Sequence, residues 1–251
     1  MPTFGWLATK LVLSHDVIHL HLPQLDAAGV ALRGRLFKKP TVITYHCDLQ
    51  MPKGLLSWIA NQGVNLMNYF AALFSHKIVA YTQDYAEHSK LLKQFSEKIE
   101  LINPPVVLPE ISLDEKNEFL KENNPEGKEP VIGMAARFAT EKGVEVLLGA
   151  IERLVSKYPT LQAWFAGPYG NILGEEQYFQ RLMPRFQILE QSGNWKFLGL
   201  LNPRQMVAFY QSIDMLVLPS LNSTESFGLV QIEAMMNGKP SIASNLPGVR
   251  Q

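Results

Sequence analysis

The chain has 251 residues, of which 47% are hydrophobic and 18% charged, a soluble globular balance with room for roughly two domains. Its 23 basic and 23 acidic residues cancel, so nothing in the charge asks for nucleic acid as a partner. Cys47 is the one cysteine, which excludes an intrachain disulfide framework and points to a reducing, cytoplasmic compartment.

The apolar stretch at the N-terminus is broken by Lys10 and by His15-Asp16, and no small-residue cleavage site follows, so it does not read as a secretory signal. Val17–His21 is the first predicted strand, with His19 and His21 alternating onto one face. Together with His15 they raise the question of a metal, but no cysteine or carboxylate completes a ligand set at suitable spacing. A second strand, Val42–Tyr45, runs into His46. The end of a strand is where ligands bind in open α/β sheets. Cys47 beside it has no thiolate-stabilising neighbour in the sequence and is read as incidental.

Gly54–Ser75 carries no Asp, Glu, Lys or Arg. Its length suits a membrane span, yet Asn61, Gln62, Asn65 and Asn68 would be costly in lipid. Leu55, Ile59, Leu66, Phe70, Leu73 and Phe74 fall near one helical face. The plain reading is a helix covering a sheet. The sharper one is an interfacial helix suited to a lipid-linked acceptor, which would give peripheral contact with the inner face of a membrane through residues 54–75.

Strands at Lys77–Tyr81 and Ile99–Ile102 precede a break in the pattern. Pro104-Pro105 and Pro109 open a polar stretch reaching Pro130, with a short helix near Leu113–Lys121. The expected organisation is therefore a domain over residues 1–108, a linker over 109–129 and a second domain over 130–251. Strands at Val131–Ala135, Ala163–Ala166, Trp195–Phe197, Met215–Leu218 and Ser241–Ala243, alternating with helical patterns, predict parallel sheets with helices on both faces. The fold class is α/β, with two Rossmann-like doubly wound domains facing a cleft. No strand precedes Val17 and the last residues stop in a loop, so both domains are expected to be incomplete.

The stretch Ser220–Gly238 leaves a strand through a hydroxyl-rich loop and enters a helix predicted to start near Phe227 and to end at Asn237-Gly238. A helix N-terminus after a strand is a ready anion site. Glu225 stands at its mouth and Glu233 about two turns inside, a span that suits a nucleotide sugar with its diphosphate between the two carboxylates. Taken alone, the pair reads equally as a first-turn Glu favouring the helix dipole and a second, solvated Glu.

Gly133–Gly143 hangs Arg137 and Lys142 on another strand-to-helix loop, where fixed cations can meet a diphosphate. Breaking a sugar–phosphate bond puts negative charge on the departing diphosphate, which something must stabilise. The usual metal solution needs closely spaced carboxylates. The six aspartates (16, 26, 48, 84, 114 and 214) form no Asp-x-Asp pair, so neither a metal nor a cofactor is expected. Here too a solvated surface Arg and Lys is the alternative.

Together these segments resemble family 4 of the retaining glycosyltransferases (glycosyl transferases group 1), which adopt the two-Rossmann GT-B architecture. The likeness rests on a Glu-x7-Glu signature, Glu225 to Glu233 with Phe227-Gly228-Leu229 between, and on Gly133, Arg137, Lys142 and Gly143 in a Gly-x3-Arg-x4-Lys-Gly pattern. Phe165-Ala166-Gly167-Pro168, Phe197-Leu198-Gly199 and Val217-Leu218-Pro219-Ser220 fall in the expected order. The resemblance implies that Arg137 and Lys142 contact the donor diphosphate, Glu225 the donor sugar and Glu233 the ribose. It further implies that Ser226 and the amides of Phe227, Gly228 and Leu229 line the sugar–phosphate region, and that the loop after Gly199 holds the base.

In the N-terminal half the likeness is thinner. Asp16–His21 looks like the strand leading to the acceptor cleft, and Thr44-Tyr45-His46 like the strand end whose His reaches the reacting sugar. The family's first strand, its glycine-rich loop and its C-terminal crossing helix have no counterpart. The expectation is thus a fragment of a longer enzyme, short of full folding or turnover as given. The implied activity is metal-independent transfer of a hexose, with retention, from a nucleotide-diphosphate sugar to a hydroxyl acceptor, a sugar or a lipid-linked glycan. A nucleotide-sugar epimerase or a non-catalytic nucleotide-sugar-binding module would use the same scaffold. A dinucleotide-dependent dehydrogenase is excluded, because no Gly-x-Gly-x-x-Gly follows a predicted strand.

Overall fold

A computed structural model describes residues 5–50 and 54–250. The chain separates into two units, one of Met1–Pro104 with Asn222–Phe227 and Asn245–Gln251, the other of Pro105–Leu221 with Gly228–Ser244.

In the first unit the elements run α1 (Trp6–Ser14), β1 (Ile18–Leu22), α2 (Ala27–Leu36), β2 (Thr41–Tyr45), α3 (Leu55–Phe74), β3 (Lys77–Ala80), α4 (Gln83–His88) and β4 (Ile99–Leu101). The four strands pair in parallel and in chain order. Helices α2 and α3 pack through small residues: Ala27, Ala28 and Ala31 on one, Ala71 and Ala72 on the other, all buried. Small side chains let the two backbones approach closely over the sheet.

The buried stripe of α3 is Val64, Asn68, Ala71 and Ala72. It is therefore rotated from the face expected on the sequence: Leu55, Ile59, Leu66 and Leu73 are exposed, while Phe70 and Phe74 do pack against the core. The large apolar residues of α3 give no single best face, and the alanines of α2 decide which side docks. No helix among the described residues is long and apolar enough to cross a membrane.

The second unit holds α5 (Leu113–Asn123), β5 (Val131–Ala135), α6 (Val144–Leu154), β6 (Gln162–Ala166), α7 (Glu176–Gln191), β7 (Trp195–Gly199), α8 (Pro203–Ser212), β8 (Met215–Leu218), α9 (Leu229–Met236) and β9 (Ser241–Ala243). Helix α5 starts at a Ser112–Glu115 capping box. It docks through Phe119 against Trp164, and Arg204 on α8 holds the Glu115 carboxyl down to about 2.

The sheet order is β7-β6-β5-β8-β9, all parallel. From β5 the chain winds outward through β6 and β7, then returns to place β8 on the other side of β5. The order reverses between β5 and β8, and the crevice beyond the carboxyl ends of such a pair is where open α/β sheets bind ligands.

Candidate functional site

The loop leaving β5 carries Arg137 and Lys142. All five residues of β5 are buried, and the chain that leaves it is pinned at once. Ala136 donates to the Ala166 carbonyl at 3.0 Å, and Phe138 to that of Pro168 at 2.8 Å. Gly167, at φ +135°, lets this happen: a β-carbon there would lie 2.0 Å from the Ala136 oxygen.

Phe138 is fully buried among the rings of Phe165, Phe179, Phe186 and Phe197. With both neighbours fixed, Arg137 has only the outward direction, and its side chain is 47% exposed and paired with Glu141. Thr140 donates through its amide and hydroxyl to the Glu175 carboxylate, at 3.0 and 2.7 Å. A 3-10 turn over Thr140–Lys142 then presents a half-buried Lys142. It is closed by Gly143 in the left-handed conformation, φ +71°.

This loop meets the exit of β8. A β-carbon on Gly143 would fall 1.9 Å from the Pro219 carbonyl oxygen, and the Leu221 amide donates to the Glu141 carbonyl at 2.8 Å. The cation loop and the start of the hydroxyl-rich loop are thus stitched together at the switch point between β5 and β8.

Helix α9 begins at Leu229, two residues later than the sequence predicts, because Gly228 takes φ +72° and caps the helix with no side-chain hydrogen bond. A β-carbon on Gly228 would lie 2.9 Å from Leu218 and 2.6 Å from the Gln231 amide nitrogen. The correction carries over to the carboxylates: Glu225 lies outside the helix and Glu233 in its second turn, so one helical face does not relate them. No side chain caps α9; the Gln231 amide donates to the Gly228 carbonyl at 2.8 Å, and an uncapped helix start of this kind is suited to an anion. Glu233 accepts a hydrogen bond from Tyr210 on α8. Burial and that carboxylate hold the Tyr210 hydroxyl far above the ordinary phenol range.

Glu225, Ser226 and Phe227 belong to the first unit, with His46. The His46 backbone amide donates to the Leu22 carbonyl at 2.9 Å, fixing the residue at the end of β2. Its Nδ1 lies 2.5 Å from the Tyr81 hydroxyl and its Nε2 lies 2.9 Å from His21 Nδ1. The two contacts hold the imidazole from both sides and fix the orientation of the ring. Burial first, then the nearby His21 and His19, lower the His46 pKa, which favours the neutral ring.

The Phe227 ring meets Tyr81 edge-on at 5.8 Å, so within this unit His46, Tyr81 and Phe227 form one cluster. Ser226 is buried, and Gly248 at φ +80° lies against its carbonyl, where a β-carbon would come within 2.2 Å. His19 bonds Thr44 at 2.8 Å. Among the described residues no group of three or more His, Cys, Asp or Glu is placed to hold a metal ion.

Four supports were not legible beforehand. Tyr81, Glu175 and Tyr210 each brace a site residue or its loop from a distant part of the chain, and Phe138, next to Arg137, anchors its loop on distant rings. Asp48 is a fifth. Its carboxylate accepts from Tyr45, Ser89 and the Lys90 amide, while its own amide donates to the Tyr85 hydroxyl at 2.6 Å. Tyr85 in turn donates to the Ser223 carbonyl at 2.9 Å. Only the spacing of Asp48 two residues after His46 could have drawn attention to it.

The second unit is thus a parallel doubly wound α/β sheet with two cationic side chains and an uncapped helix start on the loops around its switch point. The family described as Glycosyl transferases group 1 matches residues 115–251, more than half of the chain, and the chain belongs to that family. The family described as Glycosyltransferase Family 4 matches residues 1–108.

A D-inositol 3-phosphate glycosyltransferase of Corynebacterium urealyticum is 34% identical over 123 residues, 48% of this chain and 28% of that protein. An uncharacterized glycosyltransferase of Methanocaldococcus jannaschii is 24% identical over 243 residues, 94% of this chain and 59% of that one. The chain thus spans between about a quarter and three fifths of these relatives. In fold it is similar to HepE of Anabaena in complex with UDP-glucose, at a TM-score of 0.74 and 22% identity, covering 96% of this chain and 64% of HepE.

Proposed function

We propose that the chain carries the machinery for metal-independent transfer of a hexose, with retention, from a nucleotide-diphosphate sugar to a hydroxyl acceptor. The observation that carries this reading is the stitching of the Arg137–Lys142 loop to the Pro219–Leu221 segment at the β5/β8 switch point. It supports a cationic seat for a diphosphate beside an open helix N-terminus. HepE in complex with UDP-glucose shares the fold, which fits a donor of this class.

In the reaction the bond between the sugar anomeric carbon and the diphosphate oxygen breaks. The acceptor oxygen bonds the same carbon from the same face, and the acceptor proton passes to the leaving phosphate. Arg137, Lys142 and the amides of Phe227, Gly228 and Leu229 at the start of α9 stabilise the charge that develops on the diphosphate. Glu225 orients the sugar through its hydroxyls, with Ser226 lining the same region, and Glu233 accepts from the ribose. His46, neutral and braced by Tyr81 and His21, meets the reacting sugar as a hydrogen-bond partner.

The exposed Leu55, Leu56, Trp58 and Ile59 at the start of α3 support peripheral membrane contact, in keeping with a lipid-linked acceptor at the cytoplasmic face. A screen of nucleotide sugars for acceptor-dependent release of nucleoside diphosphate tests the transfer. NMR of the anomeric centre of the product tests retention, and an inverted product refutes it.

A further inference from the structure

The uncharged helix α3 carries amides that the donor reading does not use. Asn61, Asn65 and Asn68 recur at spacings of four and three, so they share one helical face. All three line a cavity of about 580 Å³ in the first unit, a volume in the range of small-molecule sites. The opposite wall comes from the Asp48–Gln50 turn, the His88–Gln94 segment and Ser223.

Asn68 is 1% exposed. Its Oδ1 accepts from the Gln24 amide at 3.2 Å, which fixes the orientation of the amide and leaves Nδ2 buried without a partner. Asn61 Oδ1 is likewise buried and unpaired. Unpaired buried amides cost stability, and native proteins keep few of them. One unused donor and one unused acceptor lie about two turns apart on the same helix, roughly 10 Å along its axis, at the same cavity.

The wall selects a neutral ligand. Lys90 is its one lysine, and it is offset by Asp48, whose two carboxylate oxygens are already taken by Tyr45, Ser89 and the Lys90 backbone. Side-chain amides offer donor and acceptor together without charge, the complement of vicinal hydroxyls. Tyr69, half-buried at the same cavity, adds ring surface for the apolar face of a sugar.

We infer that the amide face of α3 and the Asp48–Gln50 turn form a binding site for a neutral saccharide. Its assignment as the acceptor site rests on the transfer reading above; the binding itself does not.

The test is titration of the ¹⁵N-labelled chain with methyl α-D-glucopyranoside and with maltose, followed through the asparagine side-chain amides. The resonances of Asn61, Asn65 and Asn68 should move saturably. The N61A/N65A double variant should bind about tenfold more weakly while keeping its melting temperature. The single N65A variant, at an exposed position, should weaken binding about threefold and guards against misfolding of the double variant. Glucose 6-phosphate should bind no better than the neutral sugars.

Three results overturn the inference: unmoved amides with both sugars, equal affinity in the N65A variant, or a clear preference for the phosphorylated sugar. Absence of saccharide binding by the unsubstituted chain, with acceptor-dependent diphosphate release intact, would overturn this inference alone. Saccharide binding in a chain that releases no nucleotide would overturn the transfer reading alone.

Discussion

The Pro219 carbonyl oxygen occupies the place where Gly143 would carry a side chain, 1.9 Å from the position of its β-carbon. That contact joins the two loops of the β5/β8 switch point. Gly143→Ala would meet both a backbone clash and a left-handed φ of +71°. We expect a loss of about 1–3 kcal/mol in thermal denaturation and a turnover loss larger than that of a conservative change elsewhere on the loop. An unchanged melting temperature would show that the loop relaxes freely.

Phe138 offers a separate handle on the same loop. It contributes nothing chemical, but its ring anchors the backbone between Arg137 and Thr140. Phe138→Ala should cost about 3–5 kcal/mol, read by urea denaturation. Phe138→Leu should cost much less and retain most activity, because the volume is largely kept. Equal losses for the two variants would contradict the anchoring role.

The strands of both sheets were legible because short apolar, β-branched runs stand between polar breaks. β5, β8 and β9 fall at the residues expected, and the others shift by one or two. The start of α9 was not, because Phe227 continues the apolar pattern while the left-handed Gly228 stops it, and a periodicity does not reveal a φ angle. The face of α3 was misread because its docking side is chosen by alanines on α2.

Arg137, Lys142 and His46 stood out by residue type at strand ends. Tyr81, Phe138, Glu175 and Tyr210 did not. Their roles come from contacts such as Tyr210–Glu233 and Thr140–Glu175, made across separations of 23 and 35 residues.

His46 and His19 both have lowered pKa values, burial being the larger cause in each. The ordinary imidazole value is about 6.5, so the unfolded chain binds more protons than the folded one below that pH. The stabilisation is complete above the unfolded value and lost as pH falls through the folded one. The first unit should therefore melt at a lower temperature as pH drops from about 7 to about 5. His46→Gln should flatten part of that slope, modestly because the ring is only half-buried. A pH slope unchanged in this variant would remove His46 from the account.

Tyr210→Phe keeps the ring and deletes the hydrogen bond to Glu233. If Glu233 holds the ribose, the donor KM should rise several-fold while kcat stays close to wild type, since a ribose contact acts on binding in ground state and transition state alike. A fall in kcat with KM unchanged would place Glu233 elsewhere in the reaction.

The most direct measurement of the central claim is acceptor-dependent release of nucleoside diphosphate by the chain within its full reading frame, compared with its Lys142→Ala and Arg137→Ala variants. Stabilisation of a departing diphosphate by these two cations predicts release that requires the acceptor and falls by about a hundredfold or more in each variant. Release at near-normal rates in both variants would contradict it.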